Sequence, residues 1–309
     1  LDPGQPAAIG EETTAVSLDD LINSQAALRL LMVIGRLVPL RAGQALSFWL
    51  ADRYSGRLKN PQVQIVRANH QVFEHGQLSE EALAQRTRAV FRNALRSQFE
   101  FFHYLSRPQA MLQMVAPEDH VVELVRQTQR SEHPTVFACP HTGNFELAGF
   151  ALRLMGLNVQ LLAQPGQRSD YQAKNRLRQQ VGFDITPISA EALRQAIQRL
   201  QSGGSVLTGL DWPVKETRFR PRFCGQPSLL STGYVRLAIK AQAPVVVVAC
   251  RRASDGIYHI RASQPIPMQP AEDPSQAILQ NTEAVLAAAE NYIRQDPEQW
   301  MMFHRVWEL

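Results

Sequence analysis

Two regimes of apolar spacing divide the 309-residue chain. Up to about residue 118 the apolar positions recur at helical intervals. Ser17 and Asp20 read as a capping box that opens a helix reaching Val38. A second helix is predicted over residues 42–54. Ser79, followed by two glutamates, opens a long helix ending near Leu105, with Leu83, Val90, Phe91, Ala94, Phe101 and Leu105 as its core-facing stripe. Arg88, Arg92 and Arg96 form an i, i+4 ridge on that helix, either a solvated face or a contact for phosphates or an acidic carrier.

From about residue 119 the pattern alternates. "VVELVRQTQ" reads as a helix and "PTVFAC" as a strand; "FELAGFALRLMG" is a helix ended by Gly156, and "NVQLLA" a strand. "YQAKNRLRQQVG" is a helix ended by Gly182, "DITPI" a strand, "AEALRQAIQRLQSGG" a helix and "SVLTGL" a strand. "STGYVRLAIKAQA" and "DPSQAILQNTEAVLAAAENYIRQ" read as helices, with two strands, "PVVVVACRR" and "GIYHIRAS", between them. The expected fold class is α/β: a mixed, largely parallel central sheet flanked by helices, with an N-terminal helical region. Residues 1–16 are expected to be poorly ordered, residues 17–118 to form the helical region, and residues 119–309 the α/β core packed with it.

Composition narrows the class. Hydrophobic residues make up 45% of the chain, enough for a sizeable core and against global disorder. The net charge of +4 suits anionic lipid heads, an acidic carrier protein or phosphates. Cys139, Cys224 and Cys250 are odd in number and lack CxxC spacing, which argues against a disulfide framework or a zinc site, and a reducing environment is the default. The first twenty residues are polar and acidic, unlike a cleavable signal peptide. The apolar run at residues 28–40 is broken by Gly35, Arg36 and Pro39 and falls short of the roughly 20 residues of a membrane span. It reads either as a buried helix or as one lying in the membrane interface.

Ligands of open α/β sheets gather at the carboxyl ends of the strands. His141, Asp211 and the segment from Gln164 to Arg168 each follow a predicted strand, so they are expected to converge on one sheet edge. Glu146 falls in the first turn of the helix after His141, near enough to turn back to the imidazole and hold one tautomer. Gly143 permits a sharp bend or close approach, and the helix start offers N–H groups to an anion. The set suits a general base acting on a hydroxyl. Glu146 at a helix start also has a purely electrostatic reading. The chain shows no GxSxG elbow, Walker P-loop, dinucleotide fingerprint or metal-spaced histidine pair.

"HTGNFE" resembles the H-x-G-N-W-E motif of the bacterial lipid A biosynthesis acyltransferases, the late lauroyl and myristoyl transferases; the phosphatidylinositol mannoside acyltransferases are similar. Both lie in the lysophospholipid acyltransferase superfamily. "NRLRQQVG" resembles the family's arginine-x-x-x-glycine segment, giving Arg178 and Gly182. "GLDWPVKETRFRPRFCGQPSLLSTGYVRLAIKAQAPVVV" resembles its Asp-Gln to Phe-Phe-Gly block, and "DPEQWMMFHRVW" its Pro-x-Gln-Trp ending. "RANHQVF" and "LSEEALAQRTRAVFRN" resemble its helical region, so the likeness covers about residues 20–308. Phe145, Trp212, Cys224, Met302 and Val306 depart from the family pattern, most of them at expected pocket or recognition positions.

The resemblance implies transfer of a fatty acyl chain from an acyl thioester, on acyl carrier protein or coenzyme A, to a hydroxyl of a membrane glycolipid. His141 would be the base and Glu146 would orient it. N–H groups near Gly143 and Asn144, or an arginine, would stabilise the oxyanion. Arg168, Arg178 and Arg222 would hold phosphates, and Asp211 would shape the site. His304 and Arg305 are open between structural and functional roles. No metal, cofactor or nucleic acid is expected. The implied place is the cytoplasmic face of the inner membrane, through an anionic lipid surface and the N-terminal helices. A lysophospholipid or glycerolipid acyltransferase, a non-catalytic lipid-binding protein and a thioesterase remain alternatives.

Overall fold

The computed structural model describes residues 25–164, 175–179, 181–214 and 218–308. The helical region comprises α1 (Gln25–Leu37), α2 (Leu40–Ser55), α3 (Pro61–Phe73) and α4 (Glu80–Leu105). Residues 1–16 and the Ser17 capping box lie outside the described residues. Ser79 caps α4 as its sequence predicts, accepting from the Ala82 N–H. On α4, Leu83, Val90, Phe91 and Phe101 are buried, while Ala94 and Leu105 are half-buried. The arginine ridge is partly committed to the fold: Arg92 donates to both oxygens of Asp52 on α2, at 2.6 and 2.5 Å. Helix α3 is absent from the sequence reading, although Asn60 accepts from Gln62 and Val63 N–H groups and Pro61 fills the first turn.

Gly35 and Gly43 let α1 and α2 sit close on α4. A Cβ on Gly35 would lie 2.6 Å from the carbonyl carbon of Phe102, and one on Gly43 would lie 1.9 Å from the Phe99 ring. That contact fixes which faces are turned away. Leu30, Val33 and Leu37 on α1, and Leu46, Trp49 and Leu50 on α2, are exposed.

The α/β layer follows as α5 (Pro108–Gln113), β1 (Val115–Pro117), α6 (Asp119–Arg130), β2 (Thr135–Cys139), α7 (Phe145–Leu154), β3 (Val159–Ala163), β4 (Asp184–Pro187), α8 (Ala190–Gln201) and β5 (Ser205–Gly209). After the hairpin of β6 (Arg222–Phe223) and β7 (Gln226–Pro227) come α9 (Gly233–Ala241), β8 (Val245–Arg252), β9 (Tyr258–Ala262) and α10 (Pro274–Ile293). The main sheet runs β1-β9-β8-β2-β5-β3-β4. Its pairs are parallel except β8–β9. This is the mixed, largely parallel sheet expected. Edge strand β1 is new; three residues ending in proline carry too little pattern to be seen.

One apolar cluster lies beneath α8, α9 and α10, where Leu200, Val235 and Val285 meet the sheet. A second lies beneath α4, α6 and α7, where Phe101, Leu124 and Phe150 meet its opposite face, and a third, with Val63, Val66 and Phe91, lies within the helical region. Central strands buried on both faces read as near-continuous apolar runs, which is why "TVFAC" and "VVVVAC" were legible.

Candidate active site

Strands β2 and β5 are parallel neighbours in register, with Cys139 opposite Gly209. His141 and Asp211 each stand two residues beyond those ends, so the register itself brings them side by side. His141 Nδ1 lies 2.6 Å from Asp211 Oδ1, and the His141 backbone N–H donates to Asp211 Oδ2 at 2.9 Å. The indole N–H of Trp300 donates to the same Oδ2 at 2.8 Å. Asp211 is fully buried, whereas the His141 side chain is 24% exposed. Nδ1 therefore carries the proton that Asp211 accepts, and Nε2 is left to take one from outside.

Burial alone would raise the Asp211 pKa, but the imidazole, the His141 backbone N–H and the indole lower it below the ordinary carboxylate value. For His141, burial pulls the pKa down. The charge and hydrogen bond of Asp211, with the charge of Glu146, push it up by more, so it lies above the ordinary imidazole value.

The carboxylate hydrogen-bonded to His141 is thus Asp211, where the spacing pointed to Glu146. Glu146 acts on the ring through its charge and is held by Arg178. Arg178 Nε donates to Glu146 Oε2 at 3.2 Å, and Nη2 pairs with Oε1. Nη1 of Arg178 reaches Asn175 Oδ1 at 3.1 Å.

Gly143 and Asn144 build the turn between β2 and α7. Gly143 has φ +56°, and a Cβ there would lie 2.5 Å from the Cys250 carbonyl oxygen. Its N–H donates to Gln299 O at 3.0 Å. The Asn144 side chain accepts from Leu147 N–H and donates to Ser97 O, tying α7 to α4. The Asn144 backbone N–H faces the Cys250 thiol. These groups are engaged by the fold. Arg222 is not brought to the site. It is exposed on the β6–β7 hairpin, where Nη1 donates to Gly225 O at 3.2 Å. Arg168 lies outside the described residues.

His141, Glu146 and Arg178 stand on the wall of a cavity of about 210 Å³ that runs between α7 and the sheet. Its walls are mainly apolar, with Leu152, Leu161, Phe183, Val248 and Ile260 among them, and Gln164 also reaches it. Of the departures from the expected pattern, two are at the site. Phe145 meets the His141 ring edge-on at 4.8 Å, and Trp212 lies 6.0 Å from it, between centroids. Trp212 also packs against His304 at 4.2 Å, which brings His304 to the rim, while Arg305 is exposed. Cys224, Met302 and Val306 are instead buried in the core, so they are packing positions and not recognition positions. Among the described residues no cluster of His, Cys, Asp or Glu could hold a metal ion. Trp300, absent from the candidates read off the sequence, was visible only as part of the "DPEQW" ending.

The arrangement pairs an imidazole with a buried carboxylate at the wall of an apolar cavity, and its Nε2 is placed to accept a proton. Residues 24–308 match the model of the family described as bacterial lipid A biosynthesis acyltransferase. Comparison with curated proteins finds no match.

Proposed function

The chain belongs to the bacterial lipid A biosynthesis acyltransferase family and is an acyltransferase of that type; from that premise we propose a donor, an acceptor and a base. A fatty acyl chain moves from an acyl thioester, on acyl carrier protein or coenzyme A, to a hydroxyl of a membrane glycolipid. The observation that carries this reading is the His141–Asp211 pair at the wall of an apolar cavity. The cavity takes the acyl chain. Nε2 of His141 removes the hydroxyl proton as the oxygen attacks the thioester carbonyl. The tetrahedral intermediate collapses by breaking the C–S bond, and the imidazolium returns its proton to the departing sulfur. Asp211 stabilises the imidazolium throughout. Arg178, on the same wall, brings positive charge toward the oxyanion while holding Glu146. The test is incubation with lauroyl-carrier protein or lauroyl-coenzyme A, with and without a lipid A precursor. An acylated lipid supports the reading. Free laurate formed equally without acceptor would make the protein a thioesterase.

Gly149 on α7 gives a handle on the chain-binding role. It lines the cavity, and a Cβ there would lie 3.9 Å from the Phe183 ring, an ordinary contact. Gly149→Ala is expected to be tolerated, while Gly149→Leu fills the space with a branched chain. Excluding two or three methylenes removes about 0.8 kcal/mol each. Long-chain donors should therefore lose about 10- to 50-fold in kcat/KM, with short-chain donors little changed. A uniform loss across chain lengths in the Leu variant would count against the cavity as the acyl site.

The protein is proposed to dock peripherally on the cytoplasmic face of the inner membrane. No described helix is long and apolar enough to cross a membrane. The faces of α1 and α2 turned away from α4 expose Leu37 at 73% and Trp49 at 59%, with Arg36, Arg41 and Arg53 exposed around them. Apolar side chains flanked by cations suit an anionic interface. Leu37→Ser/Trp49→Ser should lower co-flotation with phosphatidylglycerol-containing liposomes by tenfold or more, since each side chain is worth roughly 1.5–3 kcal/mol when buried. Equal flotation of the variant and the parent would refute this docking face.

A further inference from the structure

We propose that Trp300 is a positioning residue for the base, acting through Asp211. The inference rests on the reading of His141 as a general base. Asp211 has two oxygens and uses them differently. Oδ1 faces the imidazole, while Oδ2 accepts the Trp300 indole N–H at 2.8 Å and the His141 backbone N–H at 2.9 Å. With both donors on Oδ2, turning the carboxylate out of its present plane would leave two N–H groups unpaired in a buried site. The indole therefore helps fix the plane in which the carboxylate meets Nδ1.

Trp300 is in turn held rigidly. It is fully buried, with Phe73 at 5.6 Å, His70 at 5.8 Å, Phe223 at 5.9 Å and Trp307 at 6.1 Å between ring centroids. Its neighbours grip the loop that carries the base. Gln299 O accepts from Gly143 N–H at 3.0 Å, and Met301 N–H donates to His141 O at 2.9 Å. Asn69 on α3 fixes the next residues, donating to Met302 O and His304 O and accepting from Val306 N–H. The strand-end base is thus aligned by a segment almost 160 residues away in sequence, a placement that no local motif around His141 reveals.

The consequence for the base has a definite sign. Each donor on Oδ2 withdraws negative charge from the carboxylate. Removing the indole N–H leaves more charge to stabilise the imidazolium, so His141 should titrate at higher pH. The charged or titratable groups facing this pair are Glu146 and Arg178 toward His141, and Cys139 and Tyr234 toward Asp211. Burial holds the Cys139 thiol and the Tyr234 hydroxyl neutral, since it pushes both pKa values up. Glu146 and Arg178 are common to both proteins in the comparison below.

The test replaces Trp300 with benzothienylalanine, which keeps the bicycle and puts sulfur in place of the N–H. Trp300→Phe is the second variant; it lacks the N–H and also leaves a hole. Histidine-labelled protein is titrated by NMR, which needs no substrate. The His141 midpoint should rise by a similar amount in both variants, although only the Phe variant loses appreciable thermal stability. kcat for lauroyl transfer should fall about 5- to 30-fold with KM little changed, because the lost alignment of the base outweighs its added basicity. An unchanged His141 midpoint in the benzothienyl variant overturns the proposal, as does a midpoint that moves only in the Phe variant. Should the parent protein transfer no acyl group, the reading of the site fails, and the NMR titration still decides the role of Trp300.

Discussion

His141→Asn should abolish acyl transfer, with a loss on the order of 10²–10⁴-fold, while keeping the thermal stability close to that of the parent protein. Asparagine is the informative replacement because its amide nitrogen can take the place of Nδ1 opposite Asp211 Oδ1, 2.6 Å away in the parent. The buried carboxylate keeps its donor, and only the proton-accepting Nε2 disappears. His141→Ala should be equally inactive but less stable, because it strips a fully buried carboxylate of one partner. A hydrogen bond to a charged group is worth about 1.5–3 kcal/mol. In the parent protein the raised His141 pKa places the acid limb of kcat/KM above about pH 6.5, and activity climbs as pH rises through it. Parent-level turnover in purified His141→Asn would show that another group is the base.

The legibility of this site in the sequence follows from how local each contact is. The sheet was legible because its central strands are continuous apolar runs, and α4 because Ser79 and the following glutamates mark its start. His141 was legible as a candidate because polar residues after a buried strand stand at the ligand-binding edge. Its partner was only half legible. Glu146 is five residues from His141, and that spacing invites a contact. Asp211 is seventy residues away and becomes the partner through the β2–β5 register, which pairs Cys139 with Gly209. Register between parallel strands is set by long-range packing, so a single sequence does not display it. Gly209 belongs to the same contact: a Cβ there would lie 3.1 Å from His141 Cε1, so the ring rests against the bare backbone of β5. Helix α3 had a readable start at Asn60 and Pro61, but its tertiary role, fixing residues 302–306 through Asn69, is a purely long-range property.

Asp211→Asn should lower kcat/KM by on the order of 10²–10⁴-fold for a reason of proton placement. Oδ2 of Asp211 receives two N–H groups, from Trp300 and the His141 backbone. An asparagine must turn its carbonyl oxygen toward those donors, since its NH₂ would meet them head-on. The NH₂ then faces Nδ1 of His141, which can only accept. The imidazole is forced to carry its proton on Nε2, the nitrogen that must be empty to take the hydroxyl proton. The same change should alter the pH dependence of stability at both ends. Asp211 has a depressed pKa, so its contribution is present above the ordinary carboxylate range and is lost as pH falls through the folded-state value. His141 has a raised pKa, so its contribution is complete below about pH 6.5 and is lost as pH rises through the folded-state value. Removing the charge abolishes the first dependence. It also leaves burial to dominate the imidazole, which should then resist protonation and weaken or reverse the second. Thermal melts of parent and variant across acid and mildly alkaline pH check this, alongside kcat/KM. A fully active Asp211→Asn protein, or one whose melting profile follows the parent across the range, would remove Asp211 from the base and leave Glu146 as the carboxylate that serves it.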